Sequence, residues 1–496
     1  MNSTTESEGA PEPRPAATLV VLRESRAGLE VLLTKRPSTM RFMGGAIVFP
    51  GGAVAASDLD ARWERLSPVD RTAAAAALGI TDGTAALAHY VCALREAFEE
   101  VGFPPGSEAP RRPHRHSTAG SFLEQCLALD VRLDTDRLVP AGRWVTPPGS
   151  PVRFDARFFL VPAPDGWEPV PEPGEVADCR WSTPAAALEE LGGGSAVMAP
   201  PTIEMLQRLA GASSLDDALR LPPRSDDSLL SVRLSPLVHV VLAPNASVMT
   251  GPGTNTYVVG SGPCVVIDPA VDDERFLHEV VAAAPGRIAE VLVTHRHEDH
   301  TGGAAALSAR SGAPVRAYGD GSAGVARVDP LQEGDVVDAG GCHLRVLHTP
   351  GHASDHVCFL MEGSDDLFSG DTLLGEGTAV IAPPDGDMRA YLGSLHRLDA
   401  LGLGRVYPGH FRPVQDGAAL VRDYIAHREA RAQAILHTLG SAPRPVDDIV
   451  AEVYVDTPAA LRPVAAYSVL AHLEMAEEEG AVERVGEEWR RRISDR

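Results

Sequence analysis

The chain has 496 residues, with 44 basic against 68 acidic side chains and a formal charge of −24. That length is more than one hydrophobic core serves and asks for two full domains plus a small module, while the acidic balance works against long-range attraction of polyanions. Aliphatic runs such as 18–22 and 264–267 suit sheet strands and fall far short of the roughly 18–20 apolar residues that cross a bilayer, which excludes a membrane role and predicts a soluble α/β multidomain protein.

Residues 1–15 are polar and Pro-containing, bury too little to fold, and read as a disordered tail; they have neither the basic start nor the apolar core of a secretory leader. Downstream stand Phe49-Pro-Gly-Gly52, Asp58, and a helix expected from about Ala85 through Arg95-Glu96-Ala-Phe-Glu99-Glu100-Val-Gly102. Glu96, Glu99 and Glu100 are spaced i, i+3, i+4 and share a face. Carboxylates crowded in this way repel unless a cation sits among them; the alternative is a solvated acidic face neutralised by Arg95.

These residues resemble the Nudix box, which cradles Mg²⁺ against a diphosphate. Asp58 stands where that box usually has Glu, and 36 residues lie between Asp58 and Arg95 where about seven is usual; the insert is Ala-rich and expected to be helical. The split box is similar to the coenzyme A diphosphatase type of Nudix enzyme. Arg143-Trp144-Val-Thr-Pro147, Arg153-Phe154, Arg157-Phe-Phe159, Cys179-Arg-Trp181 and Pro200-Pro-Thr202 extend the similarity. It implies a Nudix α/β/α sandwich over residues 16–220, with Glu96, Glu99 and Glu100 holding Mg²⁺ or Mn²⁺, Glu99 and Glu100 serving catalysis, and Arg95 orienting a carboxylate. Glu100 and Glu175 are both candidates for general base, although Glu175, in a Pro- and Gly-rich loop, reads better as a surface carboxylate. Asp58 and the long insert also leave open a nucleotide-sensing module without catalysis.

Residues 221–235, with Pro222-Pro223 and Asp226-Asp227, read as a linker. Behind the apolar run 290–294 stands His295-Arg296-His297-Glu298-Asp299-His300. A strand that ends at Thr294 and breaks into a tight loop can turn several side chains toward one point. His352, Asp371 and His410 follow strand-like segments in Thr349-Pro-Gly-His352, Phe368-Ser-Gly-Asp371 and Tyr407-Pro-Gly-His410, so four strands deliver ligands to one sheet edge. Imidazole with carboxylate suits zinc, with manganese or iron as alternatives. His348 and His356 neighbour His352 and read as supporting or packing residues rather than ligands.

THRHEDH, TPGH, SGDTLLGEGT and YPGH resemble the metallo-β-lactamase superfamily. The resemblance implies an αββα sandwich over residues 236–418 with two Zn²⁺ ions: His295, His297 and His352 on the first, Asp299, His300 and His410 on the second, and Asp371 bridging. It also puts Asp299 among the catalytic residues and makes a hydroxide between the metals the nucleophile. Class B β-lactamases commonly place Cys where Asp371 stands, and redox diiron relatives use a carboxylate where His297 stands. Only 38 residues lie between Asp371 and His410, too few for the extra domain of one nuclease group, which leaves the glyoxalase II-like side.

Gly253-Thr-Asn-Thr-Tyr257, Leu373-Leu-Gly-Glu-Gly-Thr378 and Tyr424-Ile-Ala-His-Arg-Glu429 resemble the β-lactamase-like protein 2 group, which includes a mitochondrial endoribonuclease. That pattern continues into a winged-helix-like module, here 419–496, with an amphipathic helix over 463–479 stopped by Gly480 and a strand over 481–485. Glu474, Glu477, Glu478 and Glu479 on this helix favour packing or homodimerisation over phosphate contact. His427 and Arg428 read as packing residues. Six cysteines in mostly apolar surroundings, without C-x-x-C spacing, read as reduced thiols and point to the cytoplasm. The expectation is a dinuclear hydrolase of a small-molecule thioester or ester, fused to a Nudix hydrolase of coenzyme A derivatives or nucleotides, with an RNA endonuclease as the alternative.

Overall fold

Strand Arg14–Ser25 is the longest of the first half and pairs in parallel with Phe154–Pro162 and antiparallel with Gly28–Lys35. The computed structural model describes residues 11–40, 43–106, 121–148, 150, 152–226, 228–319, 328–455, 457 and 461–492. Two compact units divide the chain, Met1–Ser235 and Pro236–Arg496.

In the first unit the main path of the sheet runs Ile47–Val48, Gly28–Lys35, Arg14–Ser25, Phe154–Pro162, Val139–Val145, with Gly51–Ala53 and Asp178–Ser182 paired off it. Residues alternate faces: Ala17, Leu19 and Val21 enter a core with Tyr90, Val91, Leu94 and Ala97 of helix Gly83–Val101, while Val20 and Leu22 are buried on the opposite side. Helices Pro184–Gly192 and Leu215–Leu219 contact the sheet strands, completing α/β/α layers. The insert is helical, as its composition suggests, with segments Ala56–Leu59, Trp63–Leu66 and Arg71–Leu78. Asp82 accepts from Thr84 N and starts the long helix at Gly83; Gly102, with φ 69°, ends it.

Two boundaries differ from expectation. Arg14 and Pro15, assigned to the tail, lie in the first strand because Arg14 N donates to Arg153 O at 2.9 Å and the strand continues the pairing with Phe154. The start of the 221–235 segment is seated on this unit: Arg224 N donates to Ala141 O at 2.9 Å, its Nε reaches Glu204 at 2.7 Å, and its guanidinium lies 5.2 Å from the Trp144 ring centre. Residues 1–10 of the expected tail lie outside the described residues.

In the second unit one sheet contains, in order, Asp329–Leu331, Val315–Tyr318, Ile288–Leu292, Cys264–Ile267, Asn255–Val259 and Val238–Leu242. The other runs Val336–Asp338, His343–His348, Val357–Met361, Asp366–Gly370, Val406–Pro408. Tyr257 of the first sheet packs against Phe368 and Tyr407 of the second at ring separations of 5.3 and 5.7 Å. Helices Glu274–Ala283 and Ala304–Ser311 lie on the first sheet, and Met388–Asp399 and Gly417–Thr438 share a core with the second, giving αββα layers.

The chain then forms Val446–Val453, Arg462–Glu478 and a three-stranded sheet of Arg444–Pro445, Glu488–Arg491 and Val482–Val485 around buried Trp489. Among the described residues no helix is long and apolar enough to cross a membrane. All six cysteines are free thiols, four of them buried.

Candidate metal centres

The strand Ile288–Leu292 runs on to Thr294, and His295 follows it in the interior. Thr294 donates its N–H to Asp268 Oδ1 at 2.8 Å and its hydroxyl to Asp268 Oδ2 at 2.7 Å. With its one proton committed, the Thr294 hydroxyl accepts from His295 Nδ1 at 3.0 Å, which leaves His295 Nε2 as a bare lone pair. His297 precedes the short helix Glu298–Thr301, which carries Asp299 and His300. His300 Nδ1 donates to Asp268 Oδ2 at 2.8 Å. His352 Nδ1 donates to Val380 O at 2.7 Å, so its Nε2 is also a lone pair.

Asp371 follows Asp366–Gly370, and its N–H donates to His356 Nε2 at 3.0 Å. Gly370 has φ 47°, and a Cβ there would lie 2.6 Å from His356 Nε2 and 2.8 Å from Thr294 Cβ, so only glycine lets this strand end between them. His410 follows Val406–Pro408; that turn is held by Asn255, which donates to Pro408 O at 3.0 Å and to Phe411 O at 2.6 Å, and by Tyr257, whose hydroxyl donates to Pro408 O at 2.8 Å.

The structure thus brings His295, His297, Asp299, His300, His352, Asp371 and His410 together. Their ligand atoms form three overlapping groups, each within 4.8 Å: His295, His297, His352; His295, His300, Asp371; and Asp299, His300, His410. His297 Nδ1 lies 2.9 Å from His295 Nε2 and 3.0 Å from His352 Nε2. Two of these three nitrogens face the third as lone pairs, and one imidazole nitrogen carries at most one proton, an arrangement that calls for a cation. Asp371 Oδ1 sits 3.4 Å from both His300 Nε2 and His410 Nε2, and both Asp371 Oδ1 and His300 Nε2 are buried without a hydrogen bond. These residues fit a pair of divalent cations.

Charge divides the cluster. Burial, then the neighbouring imidazoles, hold His295 well below the usual histidine range, and burial holds His352 below it. Burial opposes charge on His410 as well, but Asp371 and Asp299 outweigh it and push His410 up to about 9. Asp371, despite burial, is held well below the usual carboxylate range by His410 and His300. Neutral donors therefore line one side and ionised carboxylates the other.

His356 is fully buried against Thr349, with Nδ1 3.0 Å from Oγ1, and supports Asp371 without facing the cluster's centre as a ligand. His348 stacks on Tyr318 at 4.0 Å. Sequence reading missed Asp268, which takes a left-handed backbone with φ 53° and fixes both Thr294 and His300. Its signal is the one used for the other ligands, a polar residue directly behind an apolar strand, here Cys264–Ile267.

In the first unit the long insert returns Asp58 to Arg95. Both side chains are buried, and Arg95 Nε and Nη2 each donate to an Asp58 oxygen at 2.8 Å. Arg95 Nη1 also donates to Glu96 at 2.8 Å and to Glu99 at 2.9 Å, whereas Glu100 accepts from Gly51 N at 3.1 Å. A Cβ on Gly52 would lie 2.5 Å from the Glu96 carboxyl carbon, so glycine lets the backbone approach these acids. The three glutamates do not close a tight cage, since the close ligand groups among the described residues are all in the second unit. An open carboxylate face suits Mg²⁺, which keeps waters and takes substrate phosphates. Glu175 is exposed, and its charge adds to burial in raising Glu99 and Glu100.

Burial, with Glu96 close by, pushes Glu100 up to about 8. Its folded value exceeds its unfolded one, so its contribution to stability is complete below the unfolded value and is lost as pH rises through about 8. Mg²⁺ must displace the Glu100 proton. Thermal stabilisation by Mg²⁺ is therefore expected to grow from pH 5 to pH 8 in wild type and to lose that slope in Glu100→Gln; an unchanged slope in the variant would refute Glu100 as the proton released.

Residues 249–410 match the family model of the metallo-beta-lactamase superfamily, 79–209 the NUDT19 Nudix domain, and 446–489 the beta-lactamase associated winged helix domain. A Drosophila melanogaster beta-lactamase-like protein 2 homolog is 36% identical over 269 residues, spanning 50% of this chain and 90% of that protein. The chain belongs to the metallo-β-lactamase superfamily. Another superfamily relative, an atrochrysone carboxyl ACP thioesterase of Aspergillus fumigatus, is 33% identical over 245 residues, 47% of this chain and 74% of that protein. A NUDIX hydrolase structure from Alicyclobacillus acidocaldarius is 30% identical, covering 43% of this chain and 98% of that one, with a TM-score of 0.37.

This superfamily member therefore joins a Nudix domain to a metallo-β-lactamase domain and a winged helix. Both catalytic families are hydrolases, and the protein is a hydrolase. The metallo-β-lactamase fold implies a divalent metal at the His/Asp cluster and the Nudix fold implies Mg²⁺ or Mn²⁺.

Proposed function

We propose that the metallo-β-lactamase domain hydrolyses a small-molecule thioester or ester at a dinuclear zinc centre, while the Nudix domain cleaves the diphosphate of a coenzyme A derivative or a nucleotide. The observation that carries this reading is the convergence of His295, His297 and His352 on one side of Asp371 and of Asp299, His300 and His410 on the other. The thioesterase named among the relatives favours an acyl sulfur leaving group. Zinc, when bound, makes a water nucleophilic at neutral pH and polarises the scissile carbonyl.

The chain's own part is positional. Asp268, Thr294 and Val380 fix the imidazole tautomers, and Asp371, with one oxygen beside His352 and the other beside His300 and His410, would hold both cations. Asp299, 3.3 Å from His410 Nε2, orients the attacking water and takes its proton. In the Nudix domain Glu96 and Glu99 bind the cation once Arg95 shifts its pairing toward Asp58. Glu100, beside Gly51, accepts the proton of the water that attacks phosphorus once the cation has displaced its own. Free buried thiols fit a reducing, cytoplasmic setting.

RNA is the competing substrate, and the acids of the terminal helix weigh against it: Glu478 and Glu479 pair with Arg389 at 3.1 and 3.3 Å, on the body of the domain. The test is turnover of acetyl-coenzyme A and of a short RNA by the purified protein, repeated with His297→Ala and Glu99→Ala. Thiol release is expected to vanish in His297→Ala and persist in Glu99→Ala, and diphosphate cleavage to show the reverse. RNA cleavage without thiol release would replace the thioester reading. Diphosphate cleavage unaffected by Glu99→Ala would remove the Nudix assignment.

A further inference from the structure

Helix Gly417–Thr438 begins after the last metal-facing residue, yet two of its side chains grip one loop of the metal domain. Tyr424 Oη accepts from Leu374 N at 2.9 Å and donates to Gly377 O at 3.0 Å. Arg428, 1% exposed, donates through Nη2 to Ala379 O. The next carbonyl, Val380 O, receives the Nδ1 proton of His352. Arg428 also lies over the ring of Tyr391 at 5.2 Å, and Tyr391 Oη donates to Thr372 O at 2.7 Å, one residue beyond Asp371.

A buried guanidinium on a carbonyl is a charge-assisted contact, stronger than a neutral one and costly to leave unmade. The loop it holds decides whether His352 keeps its acceptor, and that acceptor keeps the Nε2 lone pair aimed at His297. We propose that Arg428 is a positioning residue for His352, acting through the 377–380 loop, so that the helix following the metal domain sets the strength of the three-imidazole metal site. The inference rests on His352 ligating a metal.

Cobalt(II) titration of metal-free full-length protein, followed by its visible absorption, separates the possibilities. Arg428→Met is expected to weaken uptake at the three-imidazole site by about tenfold, the lower end of what losing a ligand's hydrogen-bond support costs, and to shift its bands. Arg428→Lys, which keeps a cationic donor for Ala379 O, is expected to recover most of the affinity. Arg431→Met serves as the reference, because Arg431 sits on the same helix but bonds Val453 O, at 2.7 Å; it is expected to bind cobalt like wild type. Wild-type binding by Arg428→Met, no recovery by Arg428→Lys, or an equal loss in Arg431→Met would overturn the positioning role. Failure of the wild type itself to take up cobalt, or an unchanged spectrum in His352→Ala, would instead overturn the metal reading beneath it.

Discussion

Asp371→Asn is expected to cut hydrolysis at the metallo-β-lactamase domain by about 100-fold or more while leaving the fold intact. Asp371 is 9% exposed, with Oδ1 3.4 Å from His300 and His410 and Oδ2 3.6 Å from His352, so it touches both halves of the cluster. Its charge draws His410 up and, beside Asp268, draws His300 up. Asn keeps the size and the Asp371 N–H contact to His356 but removes the anion. Losing even a hydrogen-bond partner of a metal ligand costs about 10- to 100-fold in metal affinity or activity, and a carboxylate that faces both halves of the cluster should cost no less, so kcat/KM should fall by about 100-fold or more. Metal analysis after dialysis should find both sites depleted, because the lost carboxylate faces both. Retained metal with a near wild-type rate would show that Asp371 does not bridge. The fold should survive, since the strand before it is held by pairing and by apolar packing of Leu367 and Phe368.

The sequence makes this cluster legible because its chemistry is local. Four of the groups stand in six consecutive residues, and the other three each follow an apolar strand and a glycine, a pattern that specifies both a sheet edge and a turn. Asp268 carries a weaker mark, one acid among 68, and only the pairing of Cys264–Ile267 with Ile288–Leu292 brings it beside Thr294 and His300. The Gly253–Tyr257 motif was visible, but its work was not: the grip of Asn255 and Tyr257 on the His410 turn spans more than 150 positions. Composition gave no sign that the start of the 221–235 segment is anchored: Pro222-Pro223 and Asp226-Asp227 have linker character, while Arg224 finds Trp144 and Glu204 from far along the chain. Helical spacing placed Glu96, Glu99 and Glu100 on one face; that Arg95 already draws in two of them depends on the side chains' own geometry.

Asp58→Asn is expected to cost the Nudix domain about 3–5 kcal/mol, because it leaves the Arg95 guanidinium buried without its bidentate partner. The side chain of Asp58 is 0% exposed and that of Arg95 10%, so solvent screens the pair little. No helical period connects them: Arg95 is on Gly83–Val101, whereas Asp58 sits in the Ala56–Leu59 turn, where its second oxygen also accepts from Ala55 N at 2.8 Å. The shorter acid standing in the place of the box's usual glutamate reaches Arg95 because the insert folds as helices packed on the same core, through Trp63, Leu66, Ala74 and Leu78. Chemical denaturation of wild type, Asp58→Asn, Arg95→Met and the double variant Asp58→Asn/Arg95→Met provides the measurement. Each single change should be strongly destabilising and the double change less so than their sum, since removing both charges leaves neither stranded. A loss under about 1 kcal/mol in Asp58→Asn, the range of an exposed ion pair, would mean that the bridge does not hold the split box together. With Arg95 released from Asp58, its guanidinium is free to draw more tightly on Glu96 and Glu99, so the same variant should also bind Mg²⁺ more weakly, which ties the stability of the insert to the chemistry of the site.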